Sequence, residues 1–147
     1  MSTIHASAVL VGAKAALIRG PAGSGKSQLV WQLIEAATQD TLPFARLVAD
    51  DRAHIQTCGG RLVVRPSAEL AGLIEIRGLG VRRLPHESMA VLGLVVDLAA
   101  ADGERLPGAE AGKTSIDGVV LPRLAIAPGQ PALIPVLAYL RTLPAAN

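Results

Sequence analysis

Gly20-Pro21-Ala22-Gly23-Ser24-Gly25-Lys26-Ser27 is the stretch from which the fold of this chain is read. A glycine, four residues and then Gly-Lys-Ser is the pattern of a phosphate-binding (Walker A) loop. Glycines at positions 20, 23 and 25 let the backbone take conformations that a side chain would block. Backbone N–H groups can then converge on phosphate oxygens, and a following helix adds its positive end. Lys26 is placed to reach the β- and γ-phosphates, and Ser27 to offer its hydroxyl to magnesium.

Both flanks suit the motif. Ala15-Ala16-Leu17-Ile18 reads as a short buried strand. Gln28-Leu29-Val30-Trp31-Gln32-Leu33-Ile34-Glu35-Ala36-Ala37 carries apolar residues at helical spacing, and the helix is expected to end near Thr38. Upstream, His5-Ala6-Ser7-Ala8-Val9-Leu10-Val11 and the turn Gly12-Ala13-Lys14 predict a hairpin that leads into the loop. The fold class is therefore α/β, a single phosphate-loop domain with a mixed central sheet.

The composition removes several other classes. The 147 residues suit one domain with a real core. Half of them are hydrophobic and 18% are charged, which argues against disorder. The core must be aliphatic, because Trp31, Phe44 and Tyr139 are the only aromatic residues. A net charge of +2 and the lack of aromatic stacking platforms argue against nucleic acid as a partner. The single cysteine, Cys58, excludes an internal disulfide and a thiolate zinc site. The N-terminus lacks the pattern of a signal peptide, and every apolar run is interrupted before membrane-spanning length. A cytoplasmic protein without membrane contact is expected.

Downstream, Phe44-Ala45-Arg46-Leu47-Val48-Ala49 reads as a strand running straight into Asp50-Asp51. Carboxylates at the end of such a strand can hold magnesium or position a nucleophile; an acidic turn is the plain alternative. Two adjacent aspartates repel, so a cation or basic group should place at least one of them. Gly59-Gly60 between two β-rich runs predicts a hairpin over residues 53–66. Residues 67–72 read as a short helical turn. Glu75 and Arg77, two apart on an expected strand, share one face. They are either a strand salt bridge or a metal-side carboxylate with a phosphate-side guanidinium. Arg82-Arg83 reads as a solvated basic turn, or as a partner contact. Residues 91–98 read as a central strand buried on both faces. Residues 99–117 read as a long polar loop, with Arg105 and Lys113 as its cationic candidates for a substrate phosphate. Residues 119–122 and 123–127 read as two short strands, and residues 131–143 as a closing helix with Pro135 near its first turn.

Several of these stretches together resemble the catalytic domain of the HPr kinase/phosphorylase family. Leu47-Val48-Ala49-Asp50-Asp51-Arg52 is similar to that family's strand ending in paired aspartates. Ile74-Glu75-Ile76-Arg77-Gly78-Leu79-Gly80-Val81 is similar to its signature stretch. His5 stands fifteen residues before Gly20, as the family's histidine does. The resemblance runs over essentially the whole chain. It implies one catalytic domain over residues 1–147 without the N-terminal domain of many members, like the short forms of some proteobacteria.

The resemblance further implies transfer of a phosphoryl group from ATP, or pyrophosphate, to a serine of an HPr-like phosphocarrier protein. It makes Asp50 the proton acceptor, and the donor in phosphate-driven dephosphorylation. Asp51 supports Asp50, and His5 lies close to the transferred phosphate. Ser27 and Glu75 are magnesium ligands, while Lys26 and Arg77 neutralise phosphate charge. Arg105 resembles a loop arginine that meets the phosphate near the partner. Assembly as a homo-hexamer is implied as well. One departure stands out. Where the family carries a basic Pro-Val-Arg-Pro-Gly-Arg-like segment linked to the phosphorylase direction, this chain has Ala125-Ile126-Ala127-Pro128-Gly129-Gln130, without either arginine. Two other readings use the same loop: a small-molecule kinase or nucleotide hydrolase, and a nucleotide-binding regulator that signals without turnover.

Overall fold

The computed structural model of the protein describes residues 2–145. Its backbone is a large mixed sheet with two helices on one face. In chain order the elements are β1 (Ser2–Ile4), β2 (Ala6–Val11), β3 (Lys14–Arg19), α1 (Lys26–Thr38), β4 (Ala45–Ala49), β5 (Ala53–Cys58), β6 (Arg61–Pro66), β7 (Leu73–Ile76), β8 (Gly80–Arg83), β9 (Ala90–Asp97), β10 (Lys113–Ile116), β11 (Val119–Ala125) and α2 (Leu133–Arg141). The main path through the sheet is β1-β5-β6-β9-β3-β2-β4, and β10 and β11 join it at β9. The strands β7 and β8 form a separate two-stranded ribbon.

The central strand is β9. It pairs parallel with β3 along one edge. Along the other it pairs antiparallel with β6 near its start and parallel with β11 near its end. Its neighbour β3 shows why these strands read as unbroken apolar runs. Ala15 and Leu17 face one core, while Ala16 and Ile18 face the other. A strand with two buried faces has no polar side to alternate with. One core lies between β2, β3 and β9 and the β5–β6 hairpin, around Leu17, Ile55, Leu62 and Val95. The other lies under the helices, where α1 buries Leu29, Val30, Leu33 and Ala36 against Val9, Ile18 and Val96.

Four elements differ from the sequence-based expectation. The end of the expected long loop is strand β10, and Arg82-Arg83 lies in exposed strand β8 rather than in a turn. Residues 119–125 form one strand across Pro122. There β11 passes from β10 to β9: Pro122 is opposite Lys113 of β10, and Arg123 is already opposite Val95 of β9. A residue without an N–H is tolerated at such a handover. Strand β1, paired with β5, was not expected at all.

This topology sets the position of the site. The antiparallel pairings β2–β3 and β2–β4 make β4 run in the direction of β3. With β9 and β11 parallel to the same direction, four strands release their chain at one end of the sheet. Ligands of open α/β sheets bind at that carboxyl end.

Candidate active site

The loop of residues 20–27 leaves β3 and enters α1. Gly25, just before the helix, has φ +100°, a left-handed conformation that a side chain would strain. Gly20 is needed for another reason. A Cβ there would lie 2.5 Å from Ser24 Oγ and 3.2 Å from the carbonyl oxygen of Leu98. The Lys26 ammonium is buried and donates to the carbonyls of Gly20 (2.9 Å) and Pro21 (3.2 Å). Ser24 Oγ is buried and has no hydrogen-bond partner.

Asp50 follows β4 and is only 8% exposed. Its Oδ1 accepts from Ser27 Oγ (2.6 Å) and Ser7 Oγ (2.8 Å). Its Oδ2 accepts from the backbone N–H of Glu75 (3.0 Å). One carboxylate therefore ties together β2, the helix start and the β7–β8 ribbon. A carboxylate offers about four acceptor positions, so one remains for an incoming group. Asp51 takes φ +65°, in a tight turn closed by the Arg52 N–H on the Asp50 carbonyl. Ser7 also accepts from the Asp51 N–H (3.0 Å), which holds the turn shut. A non-glycine residue in the left-handed region costs energy, and such residues cluster at working sites. The Asp51 carboxylate meets His5 Nε2 at 2.6 Å, so His5 is the basic group that places it.

These groups open into one cavity of about 750 Å³. His5, residues 22–27, Asp50, Asp51, Glu75 and Arg77 all line it. Glu75 lies on β7 and Arg77 in the turn beyond it, and no ion pair joins them among the described residues. Gly20 and Pro21 stand behind the lining and hold Lys26. Arg105 is not brought here; it is exposed on the segment between β9 and β10. Lys113, the other cation proposed from that segment, starts β10 and is exposed. Among the described residues, no group of three or more His, Cys, Asp or Glu side chains is arranged to hold a metal.

Sequence reasoning missed Ser7, Gln28 and Trp31. Ser7 sits inside a strand among alanines, and only the fold brings it to Asp50. It also missed a charged network beside the loop. Arg19 grips Asp97 through Nε (2.6 Å) and Nη2 (2.8 Å). Arg123 donates Nε to the same carboxylate and its two terminal nitrogens to Asp102 (2.7 and 3.0 Å). Arg123 also bonds the Ala111 carbonyl (3.1 Å). Burial alone would raise the Asp97 carboxyl, but the two guanidiniums outweigh it and hold the group below its usual range. The Asp102 carboxyl is likewise lowered, chiefly by its bond from Arg123.

Comparison with known proteins bears on the sequence and the fold. No protein-family model matches the chain. It is 32% identical to the HPr kinase/phosphorylase of Geobacillus thermodenitrificans over 139 residues, covering 85% of this chain and 42% of that protein. It is 35% identical to the HPr kinase/phosphorylase of Clostridium tetani over 82 residues, or 56% of this chain and 24% of that protein. The chain thus spans less than half the length of these curated relatives. In structure it is similar to the Hpr(Ser) kinase/phosphatase of Coxiella burnetii, with a TM-score of 0.76 and 21% identity over 96% of this chain and 89% of that one. No helix among the described residues is long and apolar enough to cross a membrane.

Proposed function

We propose that this chain, a relative of the HPr kinase/phosphorylases in sequence and fold, transfers a phosphoryl group from ATP to a serine of an HPr-like phosphocarrier. The observation that carries the reading is the placement of Asp50. It lies at the floor of a cavity, fixed by three hydrogen bonds, directly beside the Lys26–Ser27 end of the glycine loop.

The residues present fit a triphosphate and magnesium. The unpartnered, buried Ser24 Oγ gives the loop a donor without an internal acceptor. Ser27 Oγ and the Glu75 carboxylate, both in the lining of this cavity, are hard oxygens of the type magnesium takes. Magnesium, when bound, neutralises charge on the phosphates and fixes their orientation.

The chain's own groups account for the rest. The backbone of residues 22–25 and the Lys26 ammonium hold the phosphates, with Lys26 exchanging its loop carbonyls for phosphate oxygens. Arg77 adds charge from the ribbon side. The remaining acceptor position of Asp50 receives the proton of the serine hydroxyl as that oxygen bonds to the γ-phosphorus and ADP leaves. Ser7 and Ser27 keep the carboxylate from rotating, and the His5–Asp51 pair stands at the cavity rim. Arg105 has no position in this scheme until a partner draws its segment in. Phosphate-driven reversal needs cationic groups for inorganic phosphate, and Arg77 and Lys26 are the Arg and Lys side chains that line this cavity. By resemblance the protein works in the cytoplasm as a homo-hexamer, which light scattering would read directly.

The test is phosphotransfer to a panel of HPr-like phosphocarriers with ATP and magnesium, read by intact mass and site mapping. One added phosphate on a serine is expected. ATP binding with no transfer to any of them would overturn the kinase reading in favour of a nucleotide-binding regulator.

A further inference from the structure

A second cavity, of about 550 Å³, opens on the other side of the same loop. Gly23, Ser24, Gly25 and Gln28 line both cavities, so the loop is a shared wall. The two differ in chemistry. The first holds His5, Lys26, Asp50, Asp51, Glu75 and Arg77. The second has no charged side chain in its lining.

From this contrast we infer that the second cavity is the purine subsite of the nucleotide. The inference rests on the ATP-dependent reading above and extends it to the base. A nucleoside triphosphate is charged at one end and carries a flat neutral ring at the other. A loop with a charged cavity on one side and an uncharged one on the other matches both ends. The volume lies within the range of small-molecule sites.

The walls fit a planar ring. Leu98 and Ile126 come from the chain just beyond β9 and β11, at the carboxyl end of the sheet. Pro128 and Leu133 extend the apolar lining. No aromatic residue lines the cavity, so the ring is held by aliphatic contact alone. Gln28 and Gln32 lie one turn apart on α1 and bring side-chain amides. An amide can pair with both N6 and N7 of adenine. No carboxylate is present to pair with the N–H groups of guanine. A sugar phosphate or other anionic effector would find no cation there.

The backbone gives a further sign. Ala99, in the lining, takes φ +52°. A non-glycine residue is held in the left-handed region where the chain leaves β9, as Asp51 is where it leaves β4. The Arg19–Asp97–Arg123 network lies shortly before these walls in the chain, with Asp97 next to Leu98 and Arg123 on the strand that leads to Ile126.

The test measures affinity for ATP and for inorganic tripolyphosphate, which has phosphates without a base, in the intact chain and in Gln32→Trp. The bulkier side chain fills the uncharged cavity from α1. ATP is expected to weaken by about tenfold or more while tripolyphosphate binds as before. In parallel, 8-azido-ATP is cross-linked to the unaltered protein and the label mapped, which does not depend on the variant folding. Label within residues 98–99 or 126–133 supports the inference. Label confined to His5, Trp31 or Arg77, or unchanged ATP affinity in a folded Gln32→Trp protein, overturns it. If the unaltered protein binds neither ATP nor tripolyphosphate, the phosphate-loop reading itself falls, and the subsite falls with it.

Discussion

The two sides of the glycine loop are built by opposite means. On the ribbon side, ionisable groups face open space: Glu75 and Arg77 are exposed and in no ion pair among the described residues, and the paired His5 and Asp51 are still 58% and 62% exposed. On the far side the charges are turned inward on one another. Arg19, Asp97 and Arg123 are 29%, 16% and 14% exposed and are bonded together, and the cavity on this side has no charged side chain in its lining. The difference separates two uses of charge. Charges paired and buried hold backbone in place, whereas charges exposed to a cavity are available to a ligand.

Removing charge from the ribbon side should have the largest effect. In Lys26→Met the apolar volume is kept and the ammonium is lost. ATP affinity is expected to fall on the order of 100-fold, with transfer lost, because more than one charge-assisted bond to phosphate disappears. Isothermal titration checks this, and near-normal ATP affinity would mean that Lys26 serves only to tie the loop at Gly20 and Pro21.

The far side should answer in stability instead. In Arg123→Met the bonds to Asp97, Asp102 and the Ala111 carbonyl are removed together. A cost of about 2–3 kcal/mol is expected near neutral pH, read by denaturant unfolding. The pH dependence fixes the cause. Asp97 and Asp102 both have carboxyls lowered from 3.8 in the folded protein. Their contribution is complete above the unfolded value of about 3.8 and is lost as pH falls through the lowered folded values. The stability gap between the natural chain and Arg123→Met should therefore narrow below pH about 4. A gap that stays constant to lower pH would assign the effect to packing.

The smallest effect is expected at Ala99. Its positive φ costs roughly 1 kcal/mol, which a glycine would recover in part. Ala99→Gly should raise the melting temperature slightly. A lower melting temperature would show that the methyl group packs usefully and is not merely tolerated.

The ribbon side was largely legible in the sequence and the far side was not. Residues 20–27, Asp50-Asp51 and Glu75–Arg77 are short contiguous patterns, and local spacing carries their meaning. The hairpin turns at Gly12 and at Gly59-Gly60 were legible too, since both have positive φ where glycine is required. The far side is assembled from residues 19, 97, 102 and 123, with no local pattern to connect them. Arg19 and Arg123 look like ordinary strand-end arginines until β3, β9 and β11 are placed side by side. Ser7 was missed for the same reason, being 43 residues from the carboxylate it holds. The segment after β9 was read as one loop because its glycines and charges hide the four-residue strand β10, which forms only against β11.

The central claim is that Asp50, at the charged side of the loop, performs transfer and does not hold the nucleotide. Asp50→Asn tests it most directly, with ATP affinity and the rate of serine phosphorylation measured on the same preparation. The account predicts ATP affinity within a few-fold of the natural chain and a transfer rate lower by about 100- to 10,000-fold. Transfer at the natural rate in the folded Asp50→Asn protein would contradict it.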